Sequence, residues 1–367
     1  MALRGWRLAV LVLLALMTSA VAAGGEAAVP ERVVLEGVDQ YRVVEPVAEG
    51  VRVVLNYRGE TYSPAYVAGI SGAAFRVAGP CPCAPTCWGT LDPVQLARLF
   101  GYQAEQIDIG APYDVKAEPV EASDAARKER MQAALVRIKD EIRAKRPAIL
   151  VQAFTAWEWD VVCGFDEEKH ELYGRGSYGA MRAEAYTHAD AMHALGATEI
   201  GGGPYAVLIG EKTGSFDATA AELAALRGAV EHARTVGDKL PVGIECYDQW
   251  IAGYQRPGSD PAAKGLPPDW YPLSILPSTR QAAAQFMAEL AAKYPQAKAN
   301  LESASEDFAL ESQALAAAQR LRASMGEEPS EEQRTRMAGL LSRARAMYAL
   351  AIDETASALS KMEEGKQ

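Results

Sequence analysis

The sequence predicts an α+β fold with a mixed first half and a helical second half. Three observations carry this. Short apolar runs of strand type cluster between residues 148 and 209. A helix-spaced apolar pattern precedes them at 46–57. From Thr219 onward the chain becomes rich in Ala, Leu, Glu and Arg, which favour helix.

In chain order, Arg32 to Leu35 reads as a strand. Residues 46–57 read as a helix with Val47, Val51, Val54 and Leu55 at helical spacing. Pro46 suits its first turn, where a missing N–H costs nothing. Gly59 follows its end, where a left-handed residue is often needed. A second short helix is expected over 61–70. A loop over 79–89 holds three cysteines and three prolines. Asp92 caps a helix that starts at Pro93 and runs to about Phe100.

Ser123 can cap the next helix, whose apolar face is Met131, Leu135, Ile138 and Ile142, and Pro147 ends it. Strand-like runs follow at 148–154, 159–165, 171–175 and 205–209, with a turn at 166–169. The Gly201-Gly-Gly-Pro204 segment reads as a turn. No Lys-Ser/Thr follows it, so it lacks the pattern of a phosphate loop. Residues 256–277 are Pro-rich and read as irregular.

Helices are expected near 217–235, 243–254, 279–294, 296–323 and 330–363. Ser278 with Gln281, and Ser330 with Gln333, have the spacing of capping boxes. Met337, Leu340, Leu341, Ala344, Met347 and Ala351 form one apolar stripe, a pattern that usually faces a core.

The N-terminus reads as a cleavable secretory leader. Arg4 and Arg7 precede a nearly unbroken apolar run from Leu8 to Met17, and Ala20-Val21-Ala22 is an A-x-A cleavage site. The run is short for the ~20 residues that span a bilayer. A secreted or periplasmic protein without a membrane span in its mature part is expected. The organisation read from this is a signal peptide at 1–22, an α+β domain at 30–214 and a helical region at 215–365.

The 367 residues carry a net charge of −11, and losing the two arginines of the leader takes it to about −13. Without a basic stretch, nucleic acid is excluded as a partner. Export permits disulfides. Five cysteines are present, an odd number, so at least one is unpaired within the chain.

The order of several segments resembles a known family. Val51-Arg-Val-Val-Leu-Asn-Tyr-Arg-Gly59 followed by Val67-Ala-Gly-Ile-Ser-Gly-Ala-Ala-Phe-Arg76 is similar to the N-terminal domain of butirosin biosynthesis protein H and its relatives. Leu99-Phe-Gly-Tyr102, the strands around Gly164-Phe-Asp166, and Arg227 to Arg234 followed by Tyr247-Asp-Gln-Trp250 fit the same order, as does Arg280 to Ala292. The resemblance covers most of residues 40–320. It implies a papain-like fold, akin to bacteriocin-leader peptidases and acyltransferases, in which a central helix packs on an antiparallel sheet and a mainly helical half follows. It also implies a cysteine at the start of the central helix and a histidine on a following strand. A thiol needs such neighbours to become a thiolate near neutral pH.

This sequence departs from that pattern. There is no Cys between Leu35 and Gly79, and no His between Ala148 and Asp166. Glu45 and Glu158 fall at the two places. Paired carboxyls in a cleft can do acid–base chemistry. The preferred reading is a degenerate site that binds a ligand, with Glu45, Trp88, Trp157, Glu158, Trp159 and Asp160 as its candidate residues and a peptide or small acylated molecule as its ligand.

Cys81, Cys83 and Cys87 leave alternatives open. One is a disulfide, with Cys246 as a further candidate partner. Another is a zinc site, for which C-x-C-x3-C is a poor spacing. The last is a relocated nucleophile at Cys87, served by His170 or His188. Cys163, in a strongly apolar run, is expected to be buried. The preferred expectation is a disulfide, with no metal and no cofactor. His188 and His193 are five apart, on different faces of a helix if they lie on one. A third class of function is self-association through the C-terminal helices.

Overall fold

A computed structural model describes residues 31–78, 91–109, 125–155, 158–177, 186–195, 205–237, 241–255, 269–326 and 329–364. The expected leader, the loop with Cys81, Cys83, Cys87 and Trp88, the Ser123 cap, Trp157 and the Gly201–Pro204 turn lie outside the described residues.

The fold is α+β. Strands β1 (Arg32–Val34), β2 (Tyr102–Asp108), β3 (Ala148–Val151), β4 (Trp159–Asp166), β5 (Glu171–Arg175), β6 (Thr187–Asp190) and β7 (Tyr205–Lys212) form one sheet. The order is β2-β7-β3-β4-β5-β6, with β1 added against β4, and every pairing is antiparallel. The register sets Ile149 opposite both Val207 and Val161, and Val161 opposite Arg175. Consecutive residues of β3 and β4, which point to opposite faces, are buried, with helices packed on both strands, and they read as continuous apolar runs. Strands β2 and β6 were not expected. Both are edge strands, and polar residues interrupt their apolar pattern.

Helix α1 (Pro46–Tyr57) lies against β3 and β4 with every residue from Pro46 to Leu55 buried. Its close approach uses Gly50. A Cβ there would stand 3.0 Å from the Tyr41 hydroxyl and 3.6 Å from Ile149. Gly59 has φ +96°, the left-handed value its position after the helix requires. Helices α2 (Pro64–Ser71) and α3 (Pro93–Leu99) follow. Asp92 and Gln95 form a complete capping box on α3. Helix α4 (Ala125–Arg143) packs on β1, β3, β4 and β7, and its Lys139 and Arg143 lie over the Phe165 ring. Helix α5 (Ala191–Ala194) is a single turn capped by Asp190.

The second half consists of α6 (Ala218–Arg234), α7 (Gly243–Gln255), α8 (Trp270–Lys293), α9 (Lys298–Ser324) and α10 (Glu331–Glu364). The Ser330–Gln333 capping box forms in both directions, at 3.0 and 3.2 Å. The Ser278–Gln281 box does not form. Helix α8 starts at Trp270, nine residues before the expected start, and runs through Pro272 and Pro277. Pro272 falls in the first turn, where no N–H is required. Burial of Leu273, Ile275 and Leu276 holds the rest helical despite Pro277. Ser278 therefore sits inside the helix, and its hydroxyl accepts the Val44 N–H at 3.0 Å.

One buried apolar cluster joins Val51, Leu150 and Val207 of the sheet half to Phe286, Phe308 and Tyr348 of the helical half. The α10 stripe is spent on it: Met337, Leu341, Ala344 and Ala351 are buried within their own chain. Gly69 lets α2 approach α8, since a Cβ there would collide with the Phe286 ring. Among the described residues, no helix is long and apolar enough to cross a membrane.

Candidate functional site

Residue 45 stands where α1 begins. Its backbone is extended, at φ −152° and ψ 106°, so its side chain can fold back over the first turn. Glu45 Oε1 accepts the Val47 N–H at 3.3 Å and Oε2 accepts the Ala48 N–H at 2.6 Å. The side chain is buried. Burial, helped by the nearby Glu158 and Glu49 carboxyls, raises its pKa to about 8 against the pull of those two donors. Near neutral pH Glu45 is therefore mostly protonated.

Glu158 lies just before β4 and is buried too. It accepts the hydroxyl of Tyr271, from the first turn of α8. Two residues on, Asp160 Oδ2 accepts the N–H groups of Phe154 and Thr155, each at 2.7 Å, and Oδ1 accepts that of Ser177 at 2.8 Å. Asp160 ties the ends of β3 and β5 to β4. Burial lifts its pKa to about 6, against these three donors.

Tyr41 stands at the centre of this group. Its hydroxyl donates to the Trp159 carbonyl at 2.8 Å. Burial, with the fields of Asp160, Glu49, Glu45 and Glu158, holds the phenol well above its ordinary range. Glu49 is paired with Arg52 at 2.6 Å, and Arg52 also binds Asp39 at 2.8 Å. The arrangement is a group of buried carboxyls around one phenol, with Arg52 as the cation on its α1 side.

Glu45, Glu158 and Asp160 thus converge. Trp159 is half-buried and stacks on Tyr205, with ring centroids 6.4 Å apart and planes 15° from parallel. The other candidates sit apart from this group. His170 lies in the turn just before β5 in a left-handed conformation, φ +57°, and its carbonyl accepts the Ala191 N–H. His188 lies on strand β6, not on a helix with His193, and its ring is exposed 4.0 Å from Glu171. Cys246 is a free thiol buried on α7, and its candidate partners Cys81, Cys83 and Cys87 lie outside the described residues. Burial pushes both Cys246 and the equally buried Cys163 up to about 12. Among the described residues, no three His, Cys, Asp or Glu side chains form a metal-ligating group.

Sequence reasoning missed Tyr41, Tyr271 and Ser278. Tyr41 carries a local signal, a lone aromatic just before the helix start. Tyr271 and Ser278 carry none, since they reach the site from positions 113 and 234 residues away from their partners.

No protein-family model matches the chain, and no curated protein is significantly similar to it.

Proposed function

We propose that this chain is an exported binding protein, a papain-like scaffold without the cysteine chemistry, which takes a peptide or a small acylated ligand. One observation carries the reading. At the helix start and strand start where the resemblance calls for a thiol and an imidazole, Glu45 spends both oxygens on its own helix and Glu158 receives the Tyr271 hydroxyl. A buried capping carboxyl that keeps its proton near neutral pH is a poor base and is not a nucleophile. The half-buried Trp159–Tyr205 stack supplies an apolar platform beside these residues. The leader supports export.

The test is a panel of p-nitrophenyl esters and peptide amides given to the full chain, to Glu158→Ala and to Glu45→Gln. All three should match the uncatalysed background. Hydrolysis well above background that Glu158→Ala abolishes would overturn the reading.

A further inference from the structure

We infer that Arg76 and His232 form a site for a small monocarboxylate, where the turn after α2 meets the last turn of α6. The site does not depend on the reading of Glu45 and Glu158.

Arg76 follows the short turn Ala73–Phe75 and is half-buried. Arg52, Arg58, Arg146, Arg280 and Arg322 are buried or half-buried as well, and each binds a carboxylate. Among the described residues the Arg76 guanidinium has neither a hydrogen-bond acceptor nor an ion-pair partner. Glu231, exposed on α6, acts on it only through its field. Burial wins and pushes Arg76 below the ordinary arginine range, whereas the paired Arg52 and Arg280 are held above it. A half-buried cation without a counter-charge attracts an anion. Gly72 leaves the guanidinium edge without a side chain in front of it. A Cβ there would stand 3.5 Å from both Nε and Nη2, the pair of donors that grips a carboxylate through two N–H bonds.

His232 adds a second donor. Its Nε2 lies 3.0 Å from the Val77 nitrogen and 2.9 Å from the Val77 oxygen. That oxygen already accepts the Gly243 N–H at 2.8 Å. The buried Val77 N–H needs an acceptor, so Nε2 accepts it and the ring proton sits on Nδ1. Among the described residues Nδ1 has no partner of its own. The ring is close enough to Arg76 for the guanidinium to oppose its protonation, and it is neutral at pH 7. The two donors therefore carry one positive charge between them, tempered by the field of Glu231. That balance suits the single charge of a carboxylate better than the near-double charge of a phosphate.

The test is NMR of the full chain labelled with 15N on histidine, at pH 7. His232 should show the tautomer with its proton on Nδ1. Sodium acetate exchanged for sodium chloride at constant ionic strength should shift the His232 ring signals to saturation. The exposed His170, His188 and His193 should not follow. In Arg76→Met, half-saturation should need at least about tenfold more acetate. Glu231→Gln, which removes the neighbouring carboxylate, should need less than the native chain. Phosphate should bind more weakly than acetate. If Arg76→Met fails to fold, Arg76→Gln takes its place under the same criterion.

A His232 proton on Nε2, or an acetate response that is absent or unchanged by the loss of Arg76, overturns the inference. Phosphate that saturates before acetate overturns the assignment to a carboxylate. Hydrolysis lost in Glu158→Ala would sink the non-catalytic reading and leave these results standing.

Discussion

The Tyr271 hydroxyl donates to the Glu158 carboxyl and so joins the start of α8 to the entry of β4 across 113 positions of sequence. Both side chains are buried, so the bond is made where water supplies no substitute. Tyr271→Phe keeps the ring against Val44 and removes only the donor. Loss of a hydrogen bond to a buried acid costs about 1–3 kcal/mol. Urea unfolding of the two proteins should show a lower midpoint for the variant with an unchanged slope. An unchanged midpoint would mean that the contact contributes nothing net.

Stability should fall as pH rises from about 6.5 to 8. Glu45 has a folded pKa of about 8, far above its ordinary 4.5, so between those values the native state holds a proton that the unfolded chain has released. The stabilisation is fully present below pH 4.5 and is lost as pH climbs through 8, at up to about 1.4 kcal/mol per pH unit. Asp160 adds the same sign between 3.8 and about 6, and the buried Glu311 is raised as well. His232 opposes them. Burial lowers it to about 3, so its contribution rises with pH until 6.5 and is then complete. Above 6.5 His232 no longer opposes the Glu45 slope. Equilibrium unfolding at several pH values should show the decline, and Glu45→Gln should flatten it.

How much of this was legible in the sequence depended on how local each determinant is. The start of α1 was legible because Pro46 and the Val47, Val51, Val54 spacing act within a few turns. The same holds for the Asp92 and Ser330 caps. The start of α8 was not, because local chemistry and tertiary burial disagree there. Pro272 and Pro277 argue against helix, and burial of Leu273, Ile275 and Leu276 overrides them. The sequence singled out Glu45 and Glu158 but gave no distance between them; the structure brings them close enough for one carboxyl to act on the other. The engagement of Glu158 was not legible, since Tyr271 comes from another part of the chain.

Cys163 and Cys246 should be chemically silent in the native protein. Both are buried, and burial pushes each thiol to about 12, which leaves almost no thiolate near neutral pH. Iodoacetamide should leave both unmodified in the folded chain and alkylate both once it is unfolded in guanidinium. Labelling of Cys246 in the native state would show that α7 opens locally.

The ion pair between Arg280 and Glu311 should tolerate the loss of either partner badly, and the arginine more so. Both side chains are fully buried, with Arg280 Nε 2.8 Å from Glu311 Oε1. Arg280 also donates to the carbonyls of Ala74 and Arg76, and so clamps the turn after α2 to α8. Glu311 takes the Tyr247 hydroxyl at 2.5 Å on the oxygen that pairs with Arg280. Glu311→Gln removes the counter-charge but keeps an acceptor of the same shape. Arg280→Met strands a buried carboxyl and two backbone carbonyls together. Breaking one side of a buried pair typically costs about 3–5 kcal/mol. Arg280→Met should therefore reach or exceed that range, and Glu311→Gln should cost less. Thermal unfolding of the two variants should show that order. The reverse order would place the structural weight of the pair on the carboxylate rather than on the clamp.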